Sequence, residues 1–267
     1  MPLDIDAIES AAADRESAVV EDDRLQLRLW LRLLTCTDLI EDKVRGRLRT
    51  DFATSLPRFD VLAQLDNALD LEAYANHRGS SFGRHATPQP APIDFEHRLA
   101  IALMKQQARG HRWFALEDES RLIGVCALPL SLHQGMQKFP MVWLEDSRAG
   151  RVERILRDYV SGLCAEYLAL DAEHGFARYR EHLLAALGKL VKRLGDERYR
   201  RLNKLMEEAL ARQEANGEVD LHRAWIDALL GEYYDPMYEY QRESRRSRLL
   251  FAGKQSEVVD FLRRYQA

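Results

Sequence analysis

Apolar residues return every three or four positions between Asp23 and Arg49, at Leu25, Leu29, Leu33, Ile40, Val44 and Leu48, with arginines interleaved. That period places them on one face of a long helix. Pro57, at a favoured first-turn position, opens a second helix carrying Phe59, Val61, Leu62 and Leu65. Past Asn67 the period breaks. Leu69–Leu71 reads as a short strand, the segment breaks at Ala75 and Asn76, and a glycine-flanked turn follows at His77–Gly83 (HRGSSFG). Residues 84–92 (RHATPQPAP) are proline-rich and extended. Asp94 then caps a helix through Arg109, with Phe95, Leu99, Leu103 and Met104 as its stripe and Gly110 as its stop.

Three further runs, Trp113–Leu116, Met141–Leu144 and Leu249–Phe251, are too uniformly apolar to alternate, and the intervals between them are helix-sized. Such runs indicate strands of a parallel sheet covered by helices, so the expected class is α/β with a small parallel sheet. Arg148 to Glu243 reads as almost continuous helix and supplies a large helical C-terminal part. Its core stripes are Phe176, Tyr179, Leu183, Leu187, Leu190 and Leu194, then Leu202, Leu205, Met206 and Leu210, then Leu221, Trp225 and Leu229. The pattern divides the chain into a disordered leader (1–22), a helical segment (23–66) and an α/β and helical domain (67–267).

Composition narrows the function classes. With 46% apolar and 31% charged residues over 267 positions, the chain has enough material for a full core and is not a disordered protein. No run is long and apolar enough for a membrane span, and no signal peptide is visible. Cys36, Cys126 and Cys164 have neither metal-ligand nor disulfide spacing, which fits a reducing cytoplasm. The net charge of −4 conceals an acidic head and a basic middle. Lys189, Lys192, Arg193, Arg198, Arg201 and Lys204 fall within a stretch that has few acids, and Arg245 and Arg246 follow a tyrosine-rich segment, Tyr233–Tyr240. A basic helical face beside aromatics suits a nucleic-acid backbone and unstacked bases; a solvated charged face is the other reading.

Two places carry candidate small-ligand chemistry. In HRGSSFG the glycines permit a tight turn, and Arg78, Ser80 and Ser81 can donate hydrogen bonds to an anion; the alternative is an ordinary surface turn. The run Trp113–Leu116 ends in Glu117, Asp118, Glu119, Ser120 and Arg121, and Met141–Leu144 ends in Glu145 and Asp146. Carboxylates at a strand's end can hold magnesium or its water beside a phosphate, and in parallel sheets ligands sit beyond those ends. No G-x-x-x-x-G-K-[ST] occurs: Gly188-Lys189 is followed by Leu190, and Gly253-Lys254 by Gln255.

Two resemblances enter here. From about Leu25 to Leu65, the run LRLWLRLLTCTDLIEDKVRGRLRTDFATSLPRFDVLAQLD resembles the start of MarR-type transcriptional regulators, which implies a dimerisation helix and a homodimer formed through it. The recognition helix and wing of such regulators do not follow, and DNA readout needs them. From about Leu69 onward the motifs LDLEAYANHRGSSFG, QPAPIDFE, LEDESRLIGVCALP, VWLEDS with RVERIL, and YYDPMYEYQ resemble the C-terminal, P-loop-type domain of tRNA 2-selenouridine synthases.

That second resemblance implies a wobble 2-thiouridine in tRNA as substrate, with selenophosphate and geranyl diphosphate as co-substrates, magnesium as a candidate ion, and no covalently bound cofactor. It also implies a rhodanese-like domain and a Walker A loop, which this sequence lacks. None of the three cysteines has the context of the family's selenium-carrying cysteine, so no catalytic residue is assigned. The expectation is an incomplete P-loop NTPase-like domain that keeps its tRNA-facing helices. Arg78, Ser80, Ser81, Asp118, Glu119 and Arg121 would then meet substrate or phosphate.

Overall fold

The computed structural model describes residues 61–265. The leader, the regulator-like helix with Cys36, the dimer expected through it and most of the helix expected from Pro57 lie outside the described residues.

Strand β1 (Ala68–Leu69) is shorter than its apolar run, because Asp70 turns the chain into helix α1 (Leu71–Ala75). Asp70 Oδ1 accepts the Ala73 N–H at 2.7 Å, a side-chain N-cap. The expected strand over Leu69–Leu71 is thus corrected by a capping aspartate. Asn76 ends α1 in the left-handed region (φ 48°), and its amide donates to Thr87 Oγ1 and the Pro88 carbonyl, pinning the extended connector alongside. Helix α2 (Pro92–Ala108) starts on Pro92, with Ala91 as N-cap, so Asp94 sits in the first turn and is not the cap. Phe95 and Leu99 are buried, whereas Met104 is 68% exposed. Nine residues beyond Phe95, Met104 lies half a revolution away from it.

Strand β2 (Ala115–Leu116) runs parallel to β1, pairing Ala68 with Ala115 and Leu69 with Leu116. A hairpin of β3 (Leu122–Ile123) and β4 (Cys126–Ala127) follows, then helix α3 (Leu130–Met136). Gln89 ties these pieces together: its Nε2 donates to the Ala75 and Ile123 carbonyls, both at 2.9 Å, and its Oε1 accepts the Val125 N–H. Strand β5 (Met141–Leu144) pairs in parallel with β6 (Leu249–Gly253). The α/β class is as expected, but the parallel strands form two separate ladders, because no strand among the described residues joins β2 to β5.

Between β5 and β6 comes the helical part: α4 (Arg148–Ile155), α5 (Leu163–Leu170), α6 (Gly175–Gly188), α7 (Val191–Leu194), α8 (Asp196–Asn216), α9 (His222–Leu229) and α10 (Asp235–Ser244). Wider π-helical turns at Leu156–Gly162 and Leu230–Tyr234 interrupt it. Its core is one continuous cluster in which Tyr179, Leu183, Leu187, Leu202, Met206 and Leu210 are fully buried, while Leu221 is 46% exposed and falls outside the expected stripe. Helix α11 (Gln255–Arg264) closes the described chain and buries Val258 and Val259 with Val61 and Leu65. Among the described residues no helix is long and apolar enough to cross a membrane.

Candidate functional site

A cavity of about 1550 Å³ opens where the two ladders approach the helical part. The HRGSSFG turn and the acidic run after β2 both reach it: Arg78–Phe82 and Glu117–Ser120 line it, as does Asp146 beyond β5. Glu145 lines a second, shallower recess next to Arg242. Both π-helical segments face the main cavity through Tyr159, Tyr233 and Tyr234. Irregular helical turns of this kind recur at functional sites, since they re-aim side chains that a regular helix would direct elsewhere.

The turn is tight for reasons visible in its sequence. Gly79 has φ +70°, which favours glycine, and a Cβ there would stand 2.3 Å from Glu72 Oε1 and 2.8 Å from Glu119 Oε1, so a larger residue would strain the backbone and displace both carboxylates. Its amides are largely engaged within the turn. Gly79 N–H donates to His77 Nδ1, Ser80 N–H to the Arg78 carbonyl, Phe82 N–H to Ser80 Oγ and Gly83 N–H to the Ser80 carbonyl. Any anion held here therefore meets the Ser80 and Ser81 hydroxyls and the arginine rather than a cradle of amides. Phe82 stacks on Trp225 with ring centroids 5.8 Å apart, anchoring the turn in the helical core.

Arg78 is already committed. Its Nη2 donates to Glu166 at 2.8 Å, and its guanidinium lies over the Tyr159 ring at 5.3 Å. Glu166 also takes the Ala86 N–H at 3.0 Å and lies 3.0 Å from His85 Nδ1. Burial would raise this carboxyl, but the His85 and Ala86 hydrogen bonds and the nearby Arg78 charge outweigh it and hold the pKa at about 2. Glu166 thus fixes the guanidinium at the cavity wall. Sequence reading missed it, as its role depends on contacts from residues about eighty positions away.

The acids divide by environment. Glu117 is buried, accepts the Leu71 N–H at 2.9 Å, and has its carboxyl raised well above the ordinary range by burial and then by the Asp70 charge. Asp118 contacts Arg245, bringing together a residue expected at the phosphate and one expected at tRNA. Glu119 lies beside Gly79. Arg121 is exposed and outside the cavity lining. Among the described residues no three His, Cys, Asp or Glu side chains converge as a metal site.

Three histidines nearby are held neutral. Burial first, then neighbouring positive groups, lower His77 and His182 to about 4, and burial alone does the same to His222. His182 sits 2.9 Å from the Tyr167 hydroxyl, and His222 Nδ1 accepts the Trp225 indole N–H at 2.9 Å. Cys126 and Cys164 are free and buried, and burial raises both thiols.

The basic face is less open than its sequence implies. Lys189, Lys192, Arg193, Arg198, Arg201 and Lys204 are all exposed. Arg201 donates to both Glu232 carboxylate oxygens, Arg198 approaches the Glu232 carbonyl at 3.5 Å, Arg193 donates to the Tyr233 hydroxyl at 3.0 Å, and Lys204 is 3.9 Å from Glu208. Arg246 pairs with Glu243 at 3.3 Å. Glu232, 31 residues downstream of Arg201, supplies a compensating charge that the local sequence does not display.

Paired parallel strands, helices packed over them and an acid-lined cavity define a helix-rich α/β domain. The family model described as the tRNA 2-selenouridine synthase AAA domain matches residues 54–267, and the chain belongs to that family. Curated relatives named tRNA 2-selenouridine synthase include that of Pseudomonas fluorescens Pf-5, 61% identical over 79% of this chain and 58% of that protein. That of Bordetella bronchiseptica is 58% identical over 79% of this chain and 57% of its own length. That of Pseudomonas putida GB-1 is 52% identical over 85% and 63%. The chain therefore spans less than two thirds of the length of these relatives. No solved structure matches it. The family match begins at residue 54 and takes in Pro57–Leu65, so the end of the regulator-like stretch belongs to the synthase domain, and the regulator resemblance gains no support.

Proposed function

We propose that this chain is the cavity-bearing and tRNA-holding part of a tRNA 2-selenouridine synthase, working in the cytoplasm on the wobble 2-thiouridine. The observation that carries the reading is the cavity itself. It is lined jointly by the Arg78–Phe82 turn and the Glu117–Ser120 acids, in a chain 61% identical to a curated synthase. In this reading Arg78, locked by Glu166, and the Ser80 and Ser81 hydroxyls face a phosphate or diphosphate such as that of selenophosphate or geranyl diphosphate. Asp118 and Glu119 orient water, or a magnesium ion that arrives with the phosphate; such ions use one or two carboxylates and keep their own waters. Arg121 lies outside the cavity and would meet only a substrate that extends beyond it.

Lys189, Lys192, Arg193, Arg198, Arg201 and Lys204 would follow the tRNA backbone, with Arg245 and Arg246 at the tyrosine-rich end. The turn offers few unspent backbone amides, and such donors are typically worth several kcal/mol toward a developing phosphate charge. The chain on its own is therefore expected to bind tRNA without turning it over.

Competition at fixed salt between tRNA and duplex DNA of equal length tests the binding half. Preference for tRNA is the expected result; equal affinity, or a preference for DNA, overturns it. Conversion of thiolated tRNA to selenouridine by the purified chain and selenophosphate alone would overturn the second half.

A further inference from the structure

We propose that Tyr234 is a positioning residue for the phosphate met by the HRGSSFG turn, acting through Ser81: the Tyr234 hydroxyl donates to Ser81 Oγ and so turns the Ser81 hydrogen toward a phosphate oxygen. The inference rests on the reading above that Ser81 faces a phosphate, and adds to it a residue from the helical wall of the cavity.

The first observation is a buried donor without an acceptor. Tyr234 lines the cavity, yet its hydroxyl oxygen is buried and makes no hydrogen bond among the described residues. An unpaired buried hydroxyl costs free energy that a phenylalanine ring in the same place would not. Only an acceptor brought into line offsets that cost. Burial, and after it the neighbouring Tyr238, Tyr159 and Tyr233, push the Tyr234 pKa above its ordinary value, so the group keeps its proton and stays a donor at neutral pH.

A second observation is where this donor is held. Tyr234 ends the π-helical segment Leu230–Tyr234, and its ring centroid lies 4.8 Å from that of Tyr233, edge to face, and 6.1 Å from that of Tyr238, stacked at 22°. These neighbours restrict the ring and with it the direction of the hydroxyl. The Ser81 side chain is the polar neighbour that acts on this hydroxyl, without yet forming a hydrogen bond. Ser81 is tied to the same helices from its own side, since the adjacent Phe82 stacks on Trp225 and both belong to the apolar cluster against which Tyr233 and Tyr234 pack.

The donor inventory sets the direction. A serine hydroxyl has one hydrogen and two lone pairs. An anion at Ser81 takes the hydrogen, so a lone pair is what Ser81 has left for Tyr234. Only the order Tyr234 to Ser81 to phosphate gives each hydrogen an acceptor. Successive hydrogen bonds polarise one another, and the last is strengthened by the charge of the anion. Ser80 has a parallel arrangement: its Oγ accepts the Phe82 N–H at 3.2 Å, which leaves its own hydrogen for the anion. Tyr234 does for Ser81 what that backbone amide does for Ser80.

The test measures calorimetric binding of inorganic pyrophosphate to the full 267-residue chain, unaltered and as Tyr234→Phe, Ser81→Ala and the double variant. Tyr234→Phe is expected to weaken binding by about three- to tenfold, the usual effect of one neutral hydrogen bond, and Ser81→Ala by more. In the Ser81→Ala background Tyr234→Phe is expected to have no further effect, because its route to the ligand is gone. The ligand-free Tyr234→Phe chain is expected to unfold at the same temperature as the unaltered chain or higher, since it loses a buried hydroxyl that has no partner. Equal affinity of Tyr234→Phe and the unaltered chain overturns the proposal. So does an undiminished loss in the Ser81→Ala background, which would mean that Tyr234 meets the ligand or shapes the turn by itself. A lower unfolding temperature of ligand-free Tyr234→Phe also overturns it, because the hydroxyl would then already serve the fold. If the unaltered chain binds no pyrophosphate, the phosphate reading fails and takes this inference with it; if it binds and Tyr234→Phe binds equally well, this inference fails alone.

Discussion

The helical part and the strand part of this domain solve the burial problem differently. From Arg148 to Ser244 the helices make their backbone hydrogen bonds within local segments, and the side chains pool into one continuous core. Ion pairs cross-tie its elements: Arg148 with Asp227 at 2.7 Å, Arg223 with Glu153 at 2.7 Å, and Arg151 with Asp235. The strand part divides its apolar residues between two smaller clusters and leaves a large cavity next to them. Helices satisfy their own backbones, whereas strands depend on neighbours. The first region is therefore closed on itself, while the second keeps an open cavity at its side.

The largest expected effect tests that contrast directly. Leu183 is fully buried in the helical core, so Leu183→Ala is expected to cost about 2–5 kcal/mol. Val142, partly buried beside the cavity, is expected to cost less on replacement by alanine, about 1 kcal/mol, because the change removes less apolar bulk and part of the side chain already borders open space. Urea denaturation midpoints of the two variants check this. Equal losses would mean that the strand part is as tightly packed as the helices, and the contrast would fail.

Legibility in the sequence follows the same division. The run Met141–Leu144 is the strand that its apolar texture predicts, and the stripe Tyr179–Leu183–Leu187 is the core that its period predicts. Both signals are local. Misses occur where a single side chain redirects the backbone, as Asp70 does in converting Leu71–Ala75 into helix. The β3–β4 hairpin was missed although its Gly124–Val125 turn, with φ +63° at the glycine, belongs to a two-residue type that favours glycine first. At the site, the glycines of HRGSSFG and the acids after β2 are legible because their chemistry is contiguous. Glu166 and Glu232, which hold Arg78 and Arg201, are not, because nothing in their own neighbourhoods points to those partners.

A smaller effect concerns acid. His77, His182 and His222 have ordinary pKa values of 6.5 and are held near 4 in the fold, so the unfolded chain binds protons that the folded chain refuses. Their contribution to stability is complete above pH 6.5 and is lost as pH falls toward 4. Glu166, lowered to about 2, adds a loss that begins below about 4.5. Glu117 has the reverse sign, because its raised carboxyl favours the folded state in acid. With four groups against one, the unfolding temperature is expected to drop by several degrees between pH 7 and pH 4. A flat profile over that range would show that the helical core tolerates charged histidines.

The smallest effect separates exposed basic residues from pinned ones. Lys189 and Lys192 are exposed, whereas Arg201 is held by Glu232 through two short hydrogen bonds. A cation that meets a phosphate releases a counterion and adds roughly one unit to the slope of log affinity against log salt. Lys189→Ala with Lys192→Ala is therefore expected to reduce that slope for tRNA by about one to two units. Arg201→Ala is expected to change it by less, because Glu232 already neutralises much of the charge and is itself left without its partner by the substitution. Binding titrations over a range of salt concentrations measure both. If Arg201→Ala lowers the slope as much as the lysine pair does, the Glu232 contact opens when tRNA binds, and the compensation within this face is a resting arrangement rather than a fixed one.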